Sequence, residues 1–418
     1  MIKKIVPGAR CGCVRAPSSK SIAHRKLAIA ALADYPSDIV IDGVSDDIRR
    51  TIDCLNALGA HITENGSTLK VLPIGSCVKM RYAELFPGES GTTLRFMLPL
   101  AGALGVEAVI RPEGRLKYRP VKELTDELCR HGMSFSFDEY SIRASGTLIP
   151  GEYALPGNVS SQYISALLLT LPRLDGDSSV NVTGSLESKG YIGLTLRELG
   201  NASVHITERG SVYEIKGPQA YAPATASVIE GDWSNAAFFL CMGALSESGV
   251  CVRGLDTSSA QGDRQILDIL SHMGAKIDVT ANEIYVRKGD LKPLTLDVSQ
   301  IPDLVPAVSA LMALANGESR IANARRLRLK ESDRLMSTFS FLNAVGADVA
   351  LDKDDIIIKG RRALPGGEAD ACGDHRIAMA LTLAACGCEN AVTIKGAEAV
   401  NKSFPDFFDR FDCLEAEK

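Results

Sequence analysis

The chain has 418 residues, enough for two or three domains with sizeable cores, and 45% of them are hydrophobic against 23% charged. A net charge of −5 and a single Trp exclude an extended basic or stacking surface for nucleic acid or anionic lipid, so any anion site must be a local gathering of Lys and Arg. The start "MIKKIVPGARCGC" lacks the apolar run of a secretory signal, and no stretch of about 18 apolar residues implies a membrane span. The eleven scattered cysteines suit reduced thiols in the cytoplasm, with no metal site.

The first predicted helix opens at "SSKSIAHRKLAIAAL", residues 18–32. Serines suit a helix N-terminus, whose first N–H groups lack partners. Lys20 and Arg25 do not, because that end already carries partial positive charge. An anion bound there would resolve the conflict. A second helix follows in "TIDCLNALGAHITENGSTLKV", closing on Gly59 before an alternating, strand-like stretch. The same design returns along the chain with Gly132, Gly200, Gly274 and Gly346, spaced 68 to 74 residues apart.

A second series of helices keeps the same period. Each has a polar head and an apolar body, with heads at Ser21, Ser90, Ser160, Asp232, Pro302–Asp303 and Asp374. That makes six units, the last cut short by the chain end. The Pro- and Ala-rich stretch 216–232 divides them three and three, as an interdomain crossing would. The apolar bodies read as core. The heads ask for more than capping. "GESGTTLR" (88–95) lets backbone approach a ligand at Gly88 and Gly91, and "VSSQYIS" has hydroxyls to spare. "RLKYRP" brings Arg119, "RLRLKESDRL" brings Lys330, Glu331 and Arg334, "CGDHRIAMAL" brings Asp374 and Arg376, and "VNKSFPDFF" brings Lys402. Singly, each could be a cap or a surface ion pair. Together, seven cations beside helix heads, with Asp303, Glu331 and Asp374 among them, describe a cleft for a multiply anionic substrate with carboxylates for proton transfer.

"SSKSIAHR", "SGTTLR", "SSQY", "ESKGYI", "LKESDRL", "GDHRIAMA" and "NKSFPDFF" stand in the order seen in the 5-enolpyruvylshikimate-3-phosphate synthase family of enolpyruvyl transferases, and the chain resembles that family from residue 16 to about 408. The resemblance implies an α/β fold of two similar domains, each of three βαβαββ repeats in an inverse α/β barrel-like arrangement. Residues 15–229 would form the first domain, mainly for shikimate 3-phosphate. Residues 1–14 with 230–418 would form the second, supplying phosphoenolpyruvate contacts and catalytic carboxylates.

The implied reaction moves the enolpyruvyl group of phosphoenolpyruvate to the 5-hydroxyl of shikimate 3-phosphate and releases phosphate. It needs an acid, a base and cations on the leaving phosphate, and no metal or cofactor. By motif, Lys20 would be a catalytic residue in contact with both substrates near the reacting centre. Ser21, Arg25, Ser160, Ser161, Gln162, Ser188, Asp303 and Lys330 would hold shikimate 3-phosphate. Gly91, Arg119, Gln162, Arg334, Arg376 and Lys402 would hold phosphoenolpyruvate. Asp303 would take the hydroxyl proton, and Glu331 would protonate the methylene carbon. The partners expected are these two small molecules, with a monomeric cytoplasmic protein and no nucleic acid or membrane.

Two positions depart from the family pattern. Glu89 stands where Asn is common, and would repel an anion unless turned away. Arg326 stands where many members carry an Asn that touches shikimate 3-phosphate. Two other readings meet parts of the sequence. A sister transferase acting on UDP-N-acetylglucosamine shares the fold but leaves the "SSQ" and "DHR" heads unexplained. An anion-binding scaffold without catalysis gives no reason for Asp303 and Glu331.

Overall fold

Residues 82–146 show how one repeat is built in this computed structural model, which describes residues 1–75, 80–280 and 283–417. A strand, Tyr82–Gly88, leads into helix Gly91–Ala103 and a second strand, Glu107–Pro112. Helix Lys122–Arg130 and the hairpin Met133–Phe137/Ile142–Gly146 complete it. The first two strands pair in parallel, as a helical crossover requires, and the hairpin adds two antiparallel partners. The strand Tyr82–Leu85 alternates exposed and buried residues, so one face meets the core. Helix Gly91–Ala103 is buried nearly all round, because it packs on its own sheet and on helix Ser161–Thr170 of the next repeat. Helix Lys122–Arg130 buries one face with Leu124 and Leu128 and leaves Lys122, Asp126 and Arg130 to solvent.

The order strand, helix, strand, helix, hairpin recurs at 152–215 and 295–360. Two other repeats take their first strand from a distant part of the chain. Ala226–Val228 pairs in parallel with Ser37–Val40, and Arg10–Arg15 with Val250–Arg253. Among the described residues the sixth repeat has no hairpin of its own, and Ile2–Ile5 lies antiparallel to Val392–Lys395 in that place.

Gly59, Gly132, Gly274 and Gly346 take left-handed backbone just past their helices. Gly200 does not. Helix Lys189–Asn201 runs through it, and Ser203, at φ 61°, takes the left-handed turn instead. This corrects the reading of Gly200 as a cap, and it regularises the period, since Ser203 stands 71 residues from both Gly132 and Gly274.

Two compact units result, Ser19–Ile229 and Met1–Ser18 with Glu230–Lys418, each with its own hydrophobic core. Residues 15–18, expected in the first domain, go with the second unit, because Arg15 pairs with Arg253 between parallel strands, Ala16 N–H donates to the Arg253 carbonyl and Asp232 N–H to the Pro17 carbonyl. Among the described residues, no helix is long and apolar enough to cross a membrane.

Candidate active site

In the first unit, the heads of three buried helices gather the cations. Lys20 opens helix Lys20–Ala31 and donates from Nζ to Asp47 Oδ2 at 2.7 Å, with both side chains mostly buried. One turn on, Arg25 is 2% exposed. Its Nε donates to Thr195 Oγ1 (2.8 Å), Nη1 to the Ser21 carbonyl (2.7 Å), and Nη2 to Ser165 Oγ (3.3 Å) and the Tyr191 carbonyl (2.9 Å). Four of its five N–H groups thus serve the protein, leaving one on Nη1. Burial pushes Arg25 down to about 10, with Tyr191 and Glu198 pulling the other way, so it keeps its charge at neutral pH. His24 is pushed well below its usual range, by burial first and then by Lys20 and Arg25, and is neutral there.

At the second head, Ser90 Oγ accepts from Thr93 N–H and caps helix Gly91–Ala103. Gly91 is needed because two guanidinium groups lie over it. A Cβ there would stand 2.5 Å from Arg119 Nη1 and 2.7 Å from Arg95 Nη1. Arg95 is engaged by the protein, donating to Gln162 Oε1 (2.5 Å) and the Pro120 carbonyl (2.8 Å). Arg119 has no acceptor for its guanidinium among the described residues, and its Nε is buried without a partner. The Glu89 carboxylate lies against the backbone of Gly114, in the space a side chain there would need.

The third head is Ser160, whose Oγ accepts from Gln162 N–H (3.3 Å). Gln162 Nε2 in turn donates to Thr92 Oγ1 (2.8 Å), tying the second and third heads together. Ser161 is buried at the start of the same helix. Ser188 is buried at the start of helix Lys189–Asn201, in left-handed backbone with φ 55°. A non-glycine residue held that way carries local strain of a kind common at binding sites.

The second unit gathers the carboxylates Asp303, Glu331 and Asp374. Arg334, fully buried at the start of helix Arg334–Ala344, is their hub. Its Nε donates to Asp374 Oδ2 (2.9 Å), its Nη1 to Asp303 Oδ1 (2.6 Å), and its Nη2 to Glu331 and to Asp374 Oδ1 (3.3 Å). Burial pushes Arg334 down, but Asp374, Glu331 and Asp303 outweigh it and raise it overall. Asp303 Oδ1 also accepts from Lys330 Nζ (3.0 Å), and Arg376 Nε lies 3.6 Å away. Burial pushes Lys330 down to about 8, against the upward pull of Asp303. Asp374 caps helix His375–Ala385 and accepts from Ser332 Oγ (3.0 Å), so the cap and the ion pair share one carboxylate. Lys402 Nζ donates to the Gly373 carbonyl at 2.6 Å. Asp263 is buried in this group, and burial, with Asp303 second, raises it to about 6.

Within the first unit the structure brings Gly91, Arg119, Ser160 and Gln162 together, and within the second Asp303, Lys330, Glu331, Arg334 and Arg376. The sequence reading missed Asp47, Ser165, Thr195 and Asp263, and gave Arg95 no site role. Asp47 stands in the first turn of helix Asp46–Ala57, where an acid is ordinary. Arg95 was legible as a cation one turn into the second head. Ser165 and Thr195 sit on buried helix faces, 140 and 170 residues from the Arg25 they serve, so no local signal marks them.

A family model described as EPSP synthase (3-phosphoshikimate 1-carboxyvinyltransferase) matches residues 7–411. A 3-phosphoshikimate 1-carboxyvinyltransferase from Clostridium kluyveri is 40% identical over 411 residues, covering 97% of this chain and 95% of the relative. One from Clostridium beijerinckii is 40% identical over 423 residues, covering 98% and 97%. Among solved structures, an EPSP synthase from Acinetobacter baumannii superposes with a TM-score of 0.81 at 23% identity, over the whole of both chains. The enolpyruvyl transferase NikO from Streptomyces tendae gives 0.77 at 20% identity, covering 100% of this chain and 97% of that one. These two show the fold.

Proposed function

We propose a division of labour from one premise: the chain belongs to the EPSP synthase family. It transfers the enolpyruvyl group of phosphoenolpyruvate to the 5-hydroxyl of shikimate 3-phosphate, giving 5-enolpyruvylshikimate 3-phosphate and phosphate, on the shikimate pathway to aromatic amino acids. The residue roles are our reading. Asp303 takes the hydroxyl proton while Glu331 protonates the methylene carbon. Positive charge then develops on the neighbouring carbon and the oxygen adds there; phosphate leaves from the tetrahedral intermediate as its methyl group returns a proton to the Glu331 carboxylate, which restores the methylene. Lys20, Arg119, Arg376 and Lys402 neutralise the phosphoenolpyruvate carboxylate and the departing phosphate. Ser21, Arg25, Ser160, Ser161, Gln162, Ser188 and Lys330 hold shikimate 3-phosphate. Arg25 offers it the single N–H that the protein leaves open.

Arg334 acts mainly by placing the acid and the base. It holds Asp303 and Glu331 at once, and one N–H on Nη1 remains for phosphoenolpyruvate. This shared hydrogen bonding is the observation that carries the reading. A scaffold that merely bound anions would have no use for a buried arginine spent on carboxylates. We also place the enzyme in the cytoplasm as a monomer, where exposed thiols such as Cys13, Cys129, Cys372 and Cys413 stay reduced.

The test is phosphate release with each acceptor, paired with Glu331→Gln. Shikimate 3-phosphate should support turnover and UDP-N-acetylglucosamine should not. Glu331→Gln keeps the shape and removes the proton, so both substrates should still bind while the chemical step slows about 10²-fold or more. It should also slow exchange of solvent deuterium into the methylene group of phosphoenolpyruvate. Exchange at the wild-type rate would move the acid elsewhere, with Lys20 and Lys402 next.

A further inference from the structure

Arg119 raises a question of position. Its guanidinium lies over Gly91, where an added Cβ would stand 2.5 Å from Nη1, yet it has no acceptor among the described residues to hold it there. Fixing a long cationic side chain gives up about 1.5–2 kcal/mol of rotamer freedom, so a backbone placed in advance is what makes such a group useful to a ligand.

The backbone is pinned on both sides of Arg119, although the turn that leads to it is mostly in solvent. Gly114–Tyr118 is a short 3-10 turn in which Arg115, Lys117 and Tyr118 are exposed and Leu116 alone is buried. After Arg119, the Pro120 carbonyl accepts from Arg95 Nη2 at 2.8 Å. Before it, Glu113 N–H donates to the Gly88 carbonyl at 2.8 Å, and the Glu89 carboxylate rests on Gly114. That seat is close-fitting. Gly114 has left-handed backbone, φ 50°, and a Cβ there would fall on the carboxylate, 2.6 Å from Glu89 Cδ. Gly114 thus makes the turn and leaves room for Glu89.

Glu89 stands two residues before Gly91 and Arg95 four after it. Both ends of the turn are therefore tied to the one helix head that Arg119 lies over. We propose that Glu89 is a positioning residue, which seats the 113–119 turn on the head of helix Gly91–Ala103 and so places Arg119 for phosphoenolpyruvate. This rests on the reading of Arg119 as a phosphoenolpyruvate contact. It also gives a use to the carboxylate that the sequence puts beside an anion site. The seat depends on the reach of the side chain, because the Gly114 backbone it lies against carries no net charge.

Three substitutions separate reach from charge. Glu89→Ala removes the seat, Glu89→Asp keeps the charge but is one methylene short, and Glu89→Gln keeps the length and an acceptor oxygen. Misplacing a binding group by about 1 Å can cost up to about 10²-fold, so Glu89→Ala and Glu89→Asp should raise the KM for phosphoenolpyruvate about fivefold or more. Glu89→Gln should stay within about twofold of the wild type, and the KM for shikimate 3-phosphate should move less than about twofold in all three. In an Arg119→Ala background, Glu89→Ala should change the KM for phosphoenolpyruvate less than about twofold, because the two residues act as one. Amide hydrogen exchange over residues 113–119 should quicken in Glu89→Ala, whatever Arg119 binds. Unchanged exchange overturns the proposal, and so do Glu89→Ala and Arg119→Ala effects that multiply. A fall in the KM for phosphoenolpyruvate in both Glu89→Ala and Glu89→Gln also overturns it, since Glu89 would then act only as a repelling charge. A wild-type KM in Arg119→Ala would instead remove the reading of Arg119, and the exchange result alone would then decide the seat.

Discussion

Arg119 and Arg334 carry the same charge and do different work, because their donors are spent differently. The Arg119 guanidinium has no acceptor among the described residues, whereas Arg334 is fully buried and bonded to three carboxylates. Arg119→Ala should therefore raise the KM for phosphoenolpyruvate at least about tenfold and leave the Tm unchanged. Arg334→Ala leaves Asp303, Glu331 and Asp374 without their common partner, a loss that costs about 3–5 kcal/mol of stability. Thermal melts beside steady-state kinetics separate the two outcomes. Lys330 carries a pH signature. Burial pushes it down to about 8, so it sheds its proton as pH rises through that value and Asp303 loses a charged donor. The KM for shikimate 3-phosphate should rise above about pH 8, and Lys330→Arg, which stays charged, should flatten that limb. For stability the sign is opposite. Between about pH 8 and the unfolded value near 10.4, the unfolded chain binds more protons, so this group's contribution rises with pH. A KM profile flat through pH 9 would remove Lys330 from the shikimate 3-phosphate contacts.

Each head helix takes its form from two demands at the level of the element. Its body packs on a sheet and on neighbouring helices, so it is apolar nearly all round. Its first turn is left to caps and cations. The second helix of each of the first five repeats ends where the chain turns left-handed, at Gly59, Gly132, Ser203, Gly274 and Gly346. Gly132 meets this demand at φ 93°, and a Cβ there would lie 2.4 Å from the Thr147 carbonyl. Gly132→Ala should destabilise the protein by at least about 1–2 kcal/mol. Gly200 stands inside its helix, with nothing within 4 Å of an added Cβ. Gly200→Ala should stabilise by roughly 0.5–1 kcal/mol, since alanine costs less helix entropy. Denaturant melts of the two variants should shift in opposite directions. A destabilised Gly200→Ala would return the left-handed cap to that position.

The two units differ in how they are closed as whole bodies. Every strand of the first unit's three sheets lies within residues 37–228, so Ser19–Ile229 is continuous and complete. The second unit borrows Ile2–Ile5 and Arg10–Arg15 from the far end of the chain, and both pair inside its sheets. Expressed alone, residues 19–229 should fold with a cooperative melt. Residues 230–418 should not, because two sheets would expose unpaired edges. Adding a peptide of residues 1–18 should restore a melt to the second fragment. Failure of 19–229 to fold by itself would show that its core depends on the rest of the chain.

The six-fold period, the apolar helix bodies and the polar heads were all present in the sequence, because hydrophobic periodicity and capping are local properties. The cations and carboxylates of the site were legible for the same reason, as charges placed where a helix start has no need of them. Three things belong to the tertiary structure alone. One is that Arg25 rests on Thr195 and Ser165, a matter of helix packing over long separations. Another is that Arg119 keeps its donors open while Arg334 spends its own, since side-chain partners depend on which loops meet. The last is the missing hairpin of the sixth repeat. The sequence marks it only as a truncated end. The fold fills it with Ile2–Ile5, because a buried strand with an unpaired edge must find a partner, and that partner comes from the opposite terminus.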